Sequence, residues 1–147
     1  ARWVFLDEVD AYPGDLDGEG DPIALAEART ISFGHRAKIF LASTPTIRGL
    51  SRIEREFAMS DQRRYHLPCP FCGGMQWLKF ERLRWQKGKP ETAHYVCEHC
   101  EAEIAERHKT WMMDEGNGAE WLATADDETR ERAEAGGVVG FHISGLY

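Results

Sequence analysis

The chain has 147 residues, of which 42% are hydrophobic and 29% charged, and its formal net charge is -7 at pH 7. This composition is typical of an ordered globular chain, not of a disordered one. No apolar run approaches the roughly 20 residues that cross a bilayer, no signal peptide is seen, and the acidic balance disfavours a general nucleic-acid binder.

The chain opens on a short apolar run, Val4-Phe5-Leu6, which predicts a buried strand with Asp7 and Glu8 at its carboxyl end. A chain that begins inside a strand is expected to be an excerpt of a longer protein. In nucleotide hydrolases the first acid of such a pair holds Mg²⁺, and the second orients and deprotonates the attacking water. Asp7 and Glu8 fit those roles, although acids at strand ends are common elsewhere.

A helix and a second strand are predicted next. Asp21 is a good N-cap, so a helix is expected from Pro22 to about Phe33. The run from Lys38 to Ala42 predicts a second buried strand. Strand, helix and strand in this order form a βαβ unit, whose two strands are parallel.

The second strand ends at Ser43-Thr44-Pro45. Because the carboxyl ends of parallel strands meet at one sheet edge, Ser43 and Thr44 are expected beside Asp7 and Glu8, where ligands gather in open α/β sheets. Hydroxyls there would sense the γ-phosphate of ATP. The alternative is that they only cap the turn before Pro45.

One motif is missing from the chain. No Gly-x-x-x-x-Gly-Lys-Ser/Thr loop, the usual phosphate cradle, occurs anywhere in the sequence. Either the protein is not a nucleotide hydrolase, or that loop lies upstream of residue 1. The opening inside a strand favours the second interpretation.

A short helix is predicted from Leu50 to about Met59, with Leu50, Ile53 and Phe57 on one face. Beyond it the composition changes to paired cysteines and aromatic residues. The pairs follow the Cys-x-x-Cys spacing, which lets the two thiolates of a turn reach one ion, and four thiolates favour a closed, structural Zn²⁺ site. The predicted ligands are Cys69, Cys72, Cys97 and Cys100.

Two other uses of the cysteines fit the sequence less well than zinc. Disulfides do not suit a chain without a signal peptide, and a redox dithiol explains only one pair. Three histidines lie near the pairs, but four thiolates already complete the site. These are His66, His94 and His99. Residues 73–96 are long enough for a β-hairpin between the pairs.

Residues 79–89 form a compact basic segment in an otherwise acidic chain. Cations interleaved with aromatic rings on a hairpin could grip DNA phosphates without reading sequence. The candidate contacts are Arg82, Arg84, Lys87 and Lys89. Equally, the cations could serve only solubility, and Trp77 and Phe80 are expected to form the small core of a ribbon. Farther on, helices are predicted at 106–115 and 126–135, and a strand at 138–143.

Four stretches together resemble the large terminase subunit of tailed phages, of the GpA type. They are Phe5-Leu6-Asp7-Glu8-Val9-Asp10, Ala42-Ser43-Thr44-Pro45-Thr46, the run from Tyr65 to Gly73 and the run from Gly140 to Tyr147. The family pumps DNA into a capsid with an ATPase and cuts the concatemer with a nuclease. The resemblance implies that Asp7 is the Walker B aspartate, Glu8 the catalytic glutamate and Ser43-Thr44-Pro45 the coupling motif.

The expected fold is α/β: a partial P-loop-type parallel sheet without its Walker A half, then a small β zinc ribbon and short helices. Residues 1–62 would belong to the ATPase core, 63–106 to the ribbon, and 107–147 to a helical linker leading toward an absent nuclease domain. The resemblance implies ATP and Mg²⁺ as ligands, double-stranded DNA, a small subunit and a portal as partners, a homo-oligomeric motor in the host cytoplasm, and no membrane. A helicase-like translocase and a non-catalytic zinc interaction module remain the alternatives.

Overall fold

The computed structural model describes residues 1–147, which divide into two units, Ala1–Ala58 and Met59–Tyr147. The first unit is built around two parallel strands, β1 (Trp3–Leu6) and β2 (Lys38–Leu41), whose four residues pair one to one. A parallel pair needs a crossover connection, which here contains helix α1 (Pro22–Ala28). The predicted βαβ unit and the α/β class are therefore confirmed.

Helix α1 begins as predicted and ends early. The side chain of Asp21 caps its first turn. The predicted end near Phe33 is wrong, because a separate 3-10 segment occupies Ile31–Arg36. The hydroxyl of Thr30 donates to the carbonyl of Glu27 at 2.8 Å, and such local bonds compete with a continuing helix.

Helix α2 (Arg52–Ala58) is the last element of the first unit. Ser51 Oγ accepts a hydrogen bond from the N–H of Glu54 at 3.1 Å and so caps the helix. The predicted start at Leu50 is two residues too early. Leu50 is 74% exposed, so it does not belong to the buried face that the spacing predicted.

Strand β3 (Arg63–Pro68) is the centre of the first sheet in the second unit. It pairs antiparallel with β4 (Met75–Gln76) and β8 (Glu120–Ala123), and parallel with β9 (Phe141–His142). The sequence pattern predicts neither β3 nor β8. Charged and histidine side chains in these segments obscure the alternation of apolar and polar residues that marks a strand. β9 is the short remnant of the predicted strand at 138–143.

The second sheet contains the predicted hairpin. Strands β5 (Leu83–Gln86) and β6 (Lys89–Val96) are antiparallel, and β7 (Glu103–Ala105) pairs with the far side of β6. The hairpin turns at Lys87-Gly88, and Gly88 has a φ of 79°, a left-handed conformation that glycine adopts without steric cost. The hairpin prediction for residues 73–96 is confirmed.

Residues 107–147 contain two helices, α3 (Lys109–Met112) and α4 (Asp127–Gly136). The predicted helix at 106–115 is wrong in length, since it forms only a 3-10 turn and then α3. The segment is not wholly helical either, because β8 and β9 pair with β3. The division into 1–62, 63–106 and 107–147 stays a prediction. No helix of the chain combines the length and apolar character that crossing a membrane requires.

The core of the second unit includes two of the cysteines, so the cluster and the fold depend on one another. Its buried members are Tyr65, Leu67, Cys69, Tyr95, Cys97, Ile104, Met112 and Ala119. Trp121 and Tyr147 pack against this core.

Candidate functional site

The carboxyl ends of β1 and β2 lie side by side. Beyond the last strand pair, the N–H of Ala42 donates to the carbonyl of Leu6 at 2.9 Å, and the N–H of Val9 donates to the carbonyl of Ala42 at 3.2 Å. These bonds extend the pairing past the strand ends. They bring Asp7 and Glu8 to the edge at which Ser43 follows β2.

Asp7 and Glu8 are both exposed at this edge. The N–H of Glu8 donates to Asp7 Oδ1 at 3.0 Å, and Glu8 has a φ of 54°. That left-handed conformation is uncommon for a residue with a side chain, and such strain concentrates at functional sites. Two adjacent, solvent-accessible carboxylates can hold a hydrated Mg²⁺ ion and polarise a water molecule.

The two hydroxyl residues at the edge differ in their surroundings. Ser43 Oγ accepts a hydrogen bond from the N–H of Asp10 at 3.2 Å and donates to the carbonyl of Thr44 at 3.3 Å. Ser43 is therefore tied to the segment that follows β1. Thr44 is exposed and can meet a ligand from solvent.

Asp10 is a connecting residue that the sequence did not single out. Its Oδ1 accepts from the N–H of Ile53 at 2.9 Å, and its Oδ2 accepts from the N–H and the hydroxyl of Thr46 at 3.0 and 3.2 Å. Burial opposes its charge, but these bonds, with the hydroxyl of Ser51, lower the pKa of Asp10 to about 2. The local sequence could not predict these contacts, because the partners of Asp10 lie 36 and 43 residues away along the chain.

The four cysteines meet in one cluster. Their Sγ atoms all lie within 4.8 Å of one another, with Cys69 to Cys100 at 3.8 Å and Cys72 to Cys97 at 3.9 Å. Four sulfurs bound at 2.3 Å around a tetrahedral ion would lie about 3.8 Å apart. No pair is near the roughly 2.05 Å of a disulfide, and all four thiols are free. The donor set therefore fits a tetrahedral thiophilic ion.

Backbone N–H groups point at the sulfurs from both turns. Phe71 donates to Cys69 at 3.5 Å, Gly74 donates to Cys72 at 3.4 Å, and His99 donates to Cys97 at 3.3 Å. Each bond stabilises negative charge on the acceptor sulfur.

The thiol pKa values differ within the cluster. Burial raises the pKa of Cys69 to about 12. Burial also opposes charge on Cys97, but the N–H groups of Cys100 and His99 and the neighbouring thiols lower its pKa to about 6. Because a metal binds thiolates, a bound ion would displace the protons that the other sulfurs keep.

Gln76 is a second residue that the sequence missed. It is 1% exposed, donates from Nε2 to Cys97 Sγ at 3.5 Å and accepts the N–H of Glu98 on Oε1 at 2.9 Å. It thus joins β4 to the second cysteine turn.

The rings of the nearby histidines bond to backbone carbonyls and not to the cysteine cluster. His99 Nε2 lies 2.9 Å from the carbonyl of Met75, and His66 and His94 contact backbone carbonyls through Nδ1. None belongs to the group of side chains whose ligand atoms converge.

The four basic candidates are not equivalent. The guanidinium of Arg82 donates to the carbonyls of Val96 and Cys97 and to Glu101 Oε1, the last at 2.8 Å. Arg82 therefore stabilises the second cysteine turn, which contains Cys97 and Cys100. Arg84 bonds to the carbonyls of Glu81 and Leu83, whereas Lys87 lies in the exposed hairpin turn and Lys89 directly follows it.

The aromatic residues of this region are only partly core. Phe80 is 65% exposed, so its expected place in the core is wrong, and it contacts Trp85, which is 50% exposed. Trp77 packs its ring against His66 and lies under the ammonium of Lys79 at 4.1 Å. An exposed aromatic pair therefore adjoins the basic hairpin.

Most of the chain is similar to known proteins of one family. A family model described as the ATPase domain of the phage terminase large subunit gpA matches residues 1–121. The terminase large subunit of Enterobacteria phage P21 is 35% identical over 126 residues, covering 81% of this chain and 19% of the relative. That of Escherichia phage lambda is 32% identical over 161 aligned residues, covering 96% of this chain and 24% of the relative. The chain thus spans about a fifth to a quarter of these relatives' length. No solved structure matches it.

Proposed function

This chain belongs to the family of phage terminase large subunits of the gpA type, within their ATPase domain, and from that premise we propose that it supplies the hydrolytic and coupling elements of an ATP-driven DNA-packaging motor. One observation carries the proposal. The parallel pairing of β1 and β2 brings the acid pair Asp7 and Glu8 to the same sheet edge as Ser43 and Thr44. This edge is where open α/β sheets bind ligands.

The acids and the hydroxyls at this edge are proposed to have different roles. Asp7 would hold the Mg²⁺ ion of bound ATP, which supplies charge neutralisation on the transferring phosphoryl group. Glu8 orients the attacking water and accepts its proton. Thr44, which is exposed, would sense the γ-phosphate, and Ser43 would pass the loss of that phosphate to the segment that follows β1.

The strand pair of the first unit exposes apolar side chains that further chain could cover. Phe5 is 74% exposed and Phe40 57%, and the two rings touch across the strand pair with centroids 6.0 Å apart. Parallel strands are normally covered on both faces. Further strands and a phosphate-binding loop, which this sequence does not contain, would complete the nucleotide site in the full-length protein.

The four cysteines are proposed to hold one structural Zn²⁺ ion, forming a ribbon with strands β4 to β7. Zinc suits four thiolates in a tetrahedron and leaves no open position for chemistry. The ribbon presents the basic hairpin, which we propose contacts double-stranded DNA through Arg84, Lys87 and Lys89. Arg82 is the least available of the candidates for DNA contact, because its guanidinium already bonds to the second cysteine turn.

The whole protein is proposed to act in the host cytoplasm as a homo-oligomer with a small subunit and a portal. It would also cut concatemeric DNA with an endonuclease segment outside this chain. The chain alone is expected to complete neither ATP hydrolysis nor DNA cleavage.

The test is Glu8→Gln in the full-length protein. Removing the base should lower ATP turnover by about a hundredfold or more while ATP binding persists. Steady-state hydrolysis and equilibrium nucleotide binding measure the two separately. Glu19→Gln is the matched control, because Glu19 is an exposed glutamate in the loop of the same unit. Unchanged hydrolysis in Glu8→Gln would show that Glu8 is not the catalytic base.

A further inference from the structure

Three separate segments of the first unit meet on one carboxylate. Asp10 follows the acid pair by two residues, Thr46 lies in the turn after β2, and Ile53 lies in the first turn of α2. Both oxygens of Asp10 are used, Oδ1 by Ile53 and Oδ2 by Thr46. The N–H of Asp10 also reaches back to Ser43 Oγ at 3.2 Å.

We propose that Asp10 is a positioning residue that couples the acid pair on β1 to the turn after β2 and, through it, to helix α2. The proposal rests on the proposed ATPase function and adds the path by which a change at the nucleotide reaches the rest of the motor. Asp10 itself touches no reacting atom.

The turn after β2 has few other attachments. Residues 44–50 are exposed, and 42–46 adopt no regular secondary structure. Together with the backbone bonds of Ala42 to Leu6 and Val9, the bonds from Asp10 to Ser43 and Thr46 position this turn relative to β1. A shift at the end of β1 would carry the turn with it.

Asp10 is not the only cap of helix α2. Ser51 Oγ accepts the N–H of Glu54, and the carboxylate of Glu54 accepts the N–H of Gly49 at 3.1 Å. The bond from Asp10 to Ile53 caps a second N–H group of the first turn. It also links α2 to the segment that follows β1.

An ionised carboxylate is the group that suits this position. All of its partners are donors, two N–H groups and a hydroxyl, and a carboxylate only accepts. The lowered pKa of Asp10 agrees with the charged form. An asparagine would turn one N–H₂ group toward those donors.

The test uses the full-length protein with Asp10→Asn. We expect DNA moved per ATP hydrolysed to fall about tenfold, while ATP turnover stays within about threefold and its KM changes little. Packaging of linear duplex DNA into procapsids, measured together with phosphate release, gives this coupling ratio. Asp15→Asn is the matched control, since Asp15 also accepts two N–H bonds, at 2.6 and 2.8 Å, but only within its own loop.

A pair of variants at Thr46 keeps the test decisive if Asp10→Asn fails to fold. Thr46→Val removes one hydroxyl bond without changing shape and should lower the coupling ratio, and Thr46→Ser should restore it. Equal losses of turnover and packaging, or an unchanged coupling ratio in both Asp10→Asn and Thr46→Val, would overturn the proposal. Loss of hydrolysis in Glu8→Gln with normal coupling in Asp10→Asn would refute this inference and leave the ATPase function standing.

Discussion

At the residue scale, two side chains connect parts of the candidate sites that lie far apart in sequence. Asp10 joins three segments of the first unit, and Gln76 joins β4 to the second cysteine turn. The clustering of the four cysteines was predictable, because two Cys-x-x-Cys pairs are the spacing typical of a site that holds one ion. Supporting residues carry no such signature, since an aspartate or a glutamine acquires its role only from partners that the fold brings to it.

Gln76 yields a prediction about metal affinity. Gln76→Leu keeps most of the side-chain volume but removes the N–H that points at Cys97 Sγ and the acceptor for the N–H of Glu98. Outer-shell groups of this kind tune metal sites, so zinc affinity should fall by about tenfold or more. Competition with a chromophoric chelator measures the change. Gln86→Leu makes the same replacement on the exposed face of β5, and equal affinities in the two variants would contradict the role.

At the element scale, some strands could be predicted from their own sequences and others could not. β1 and β2 are short apolar runs followed by polar residues, a pattern that correctly predicts strands; their predicted burial is wrong in this chain, where their residues are half-buried or exposed. β3 is the centre of its sheet, yet it begins with Arg63 and Arg64 and contains His66, so no period of two is visible. Its buried positions follow from partners on both sides, which local sequence does not encode.

The β5–β6 hairpin yields a prediction about DNA. Lys87→Ala with Lys89→Ala removes two exposed charges at the turn and should weaken duplex binding by the full-length protein. The slope of log affinity against log salt should become shallower by about 1.8, because each phosphate contact contributes about 0.9. Fluorescence anisotropy over a salt series measures both quantities.

Arg82→Ala is the informative contrast to that double variant. Since Arg82 bonds to the carbonyls of Val96 and Cys97, its loss should lower the melting temperature while the salt slope changes less than in the double lysine variant. An unchanged slope after loss of Lys87 and Lys89 would make the hairpin a merely solvated surface.

At the scale of the whole molecule, the cysteines belong to one unit only. Cys69 and Cys97 are buried in the core of Met59–Tyr147, whereas Ala1–Ala58 contains no cysteine and is held by strand pairing and helix caps. A core this small commonly needs a metal or a cross-link for stability. Metal binding and folding of the second unit should therefore be one event.

Zinc removal should accordingly loosen one unit and spare the other. We expect a strong chelator to abolish hydrogen-exchange protection in β5, β6 and β7, while β1 and β2 keep theirs. Cys72→Ser should show the same pattern without chelator, and added zinc should restore the chelated protein. Acidification should act in the same direction, since protons compete with the ion for thiolates and affinity falls as pH falls. If exchange rose equally in β1 and β2, or rose in neither unit, the cluster would not be the structural centre of the second unit.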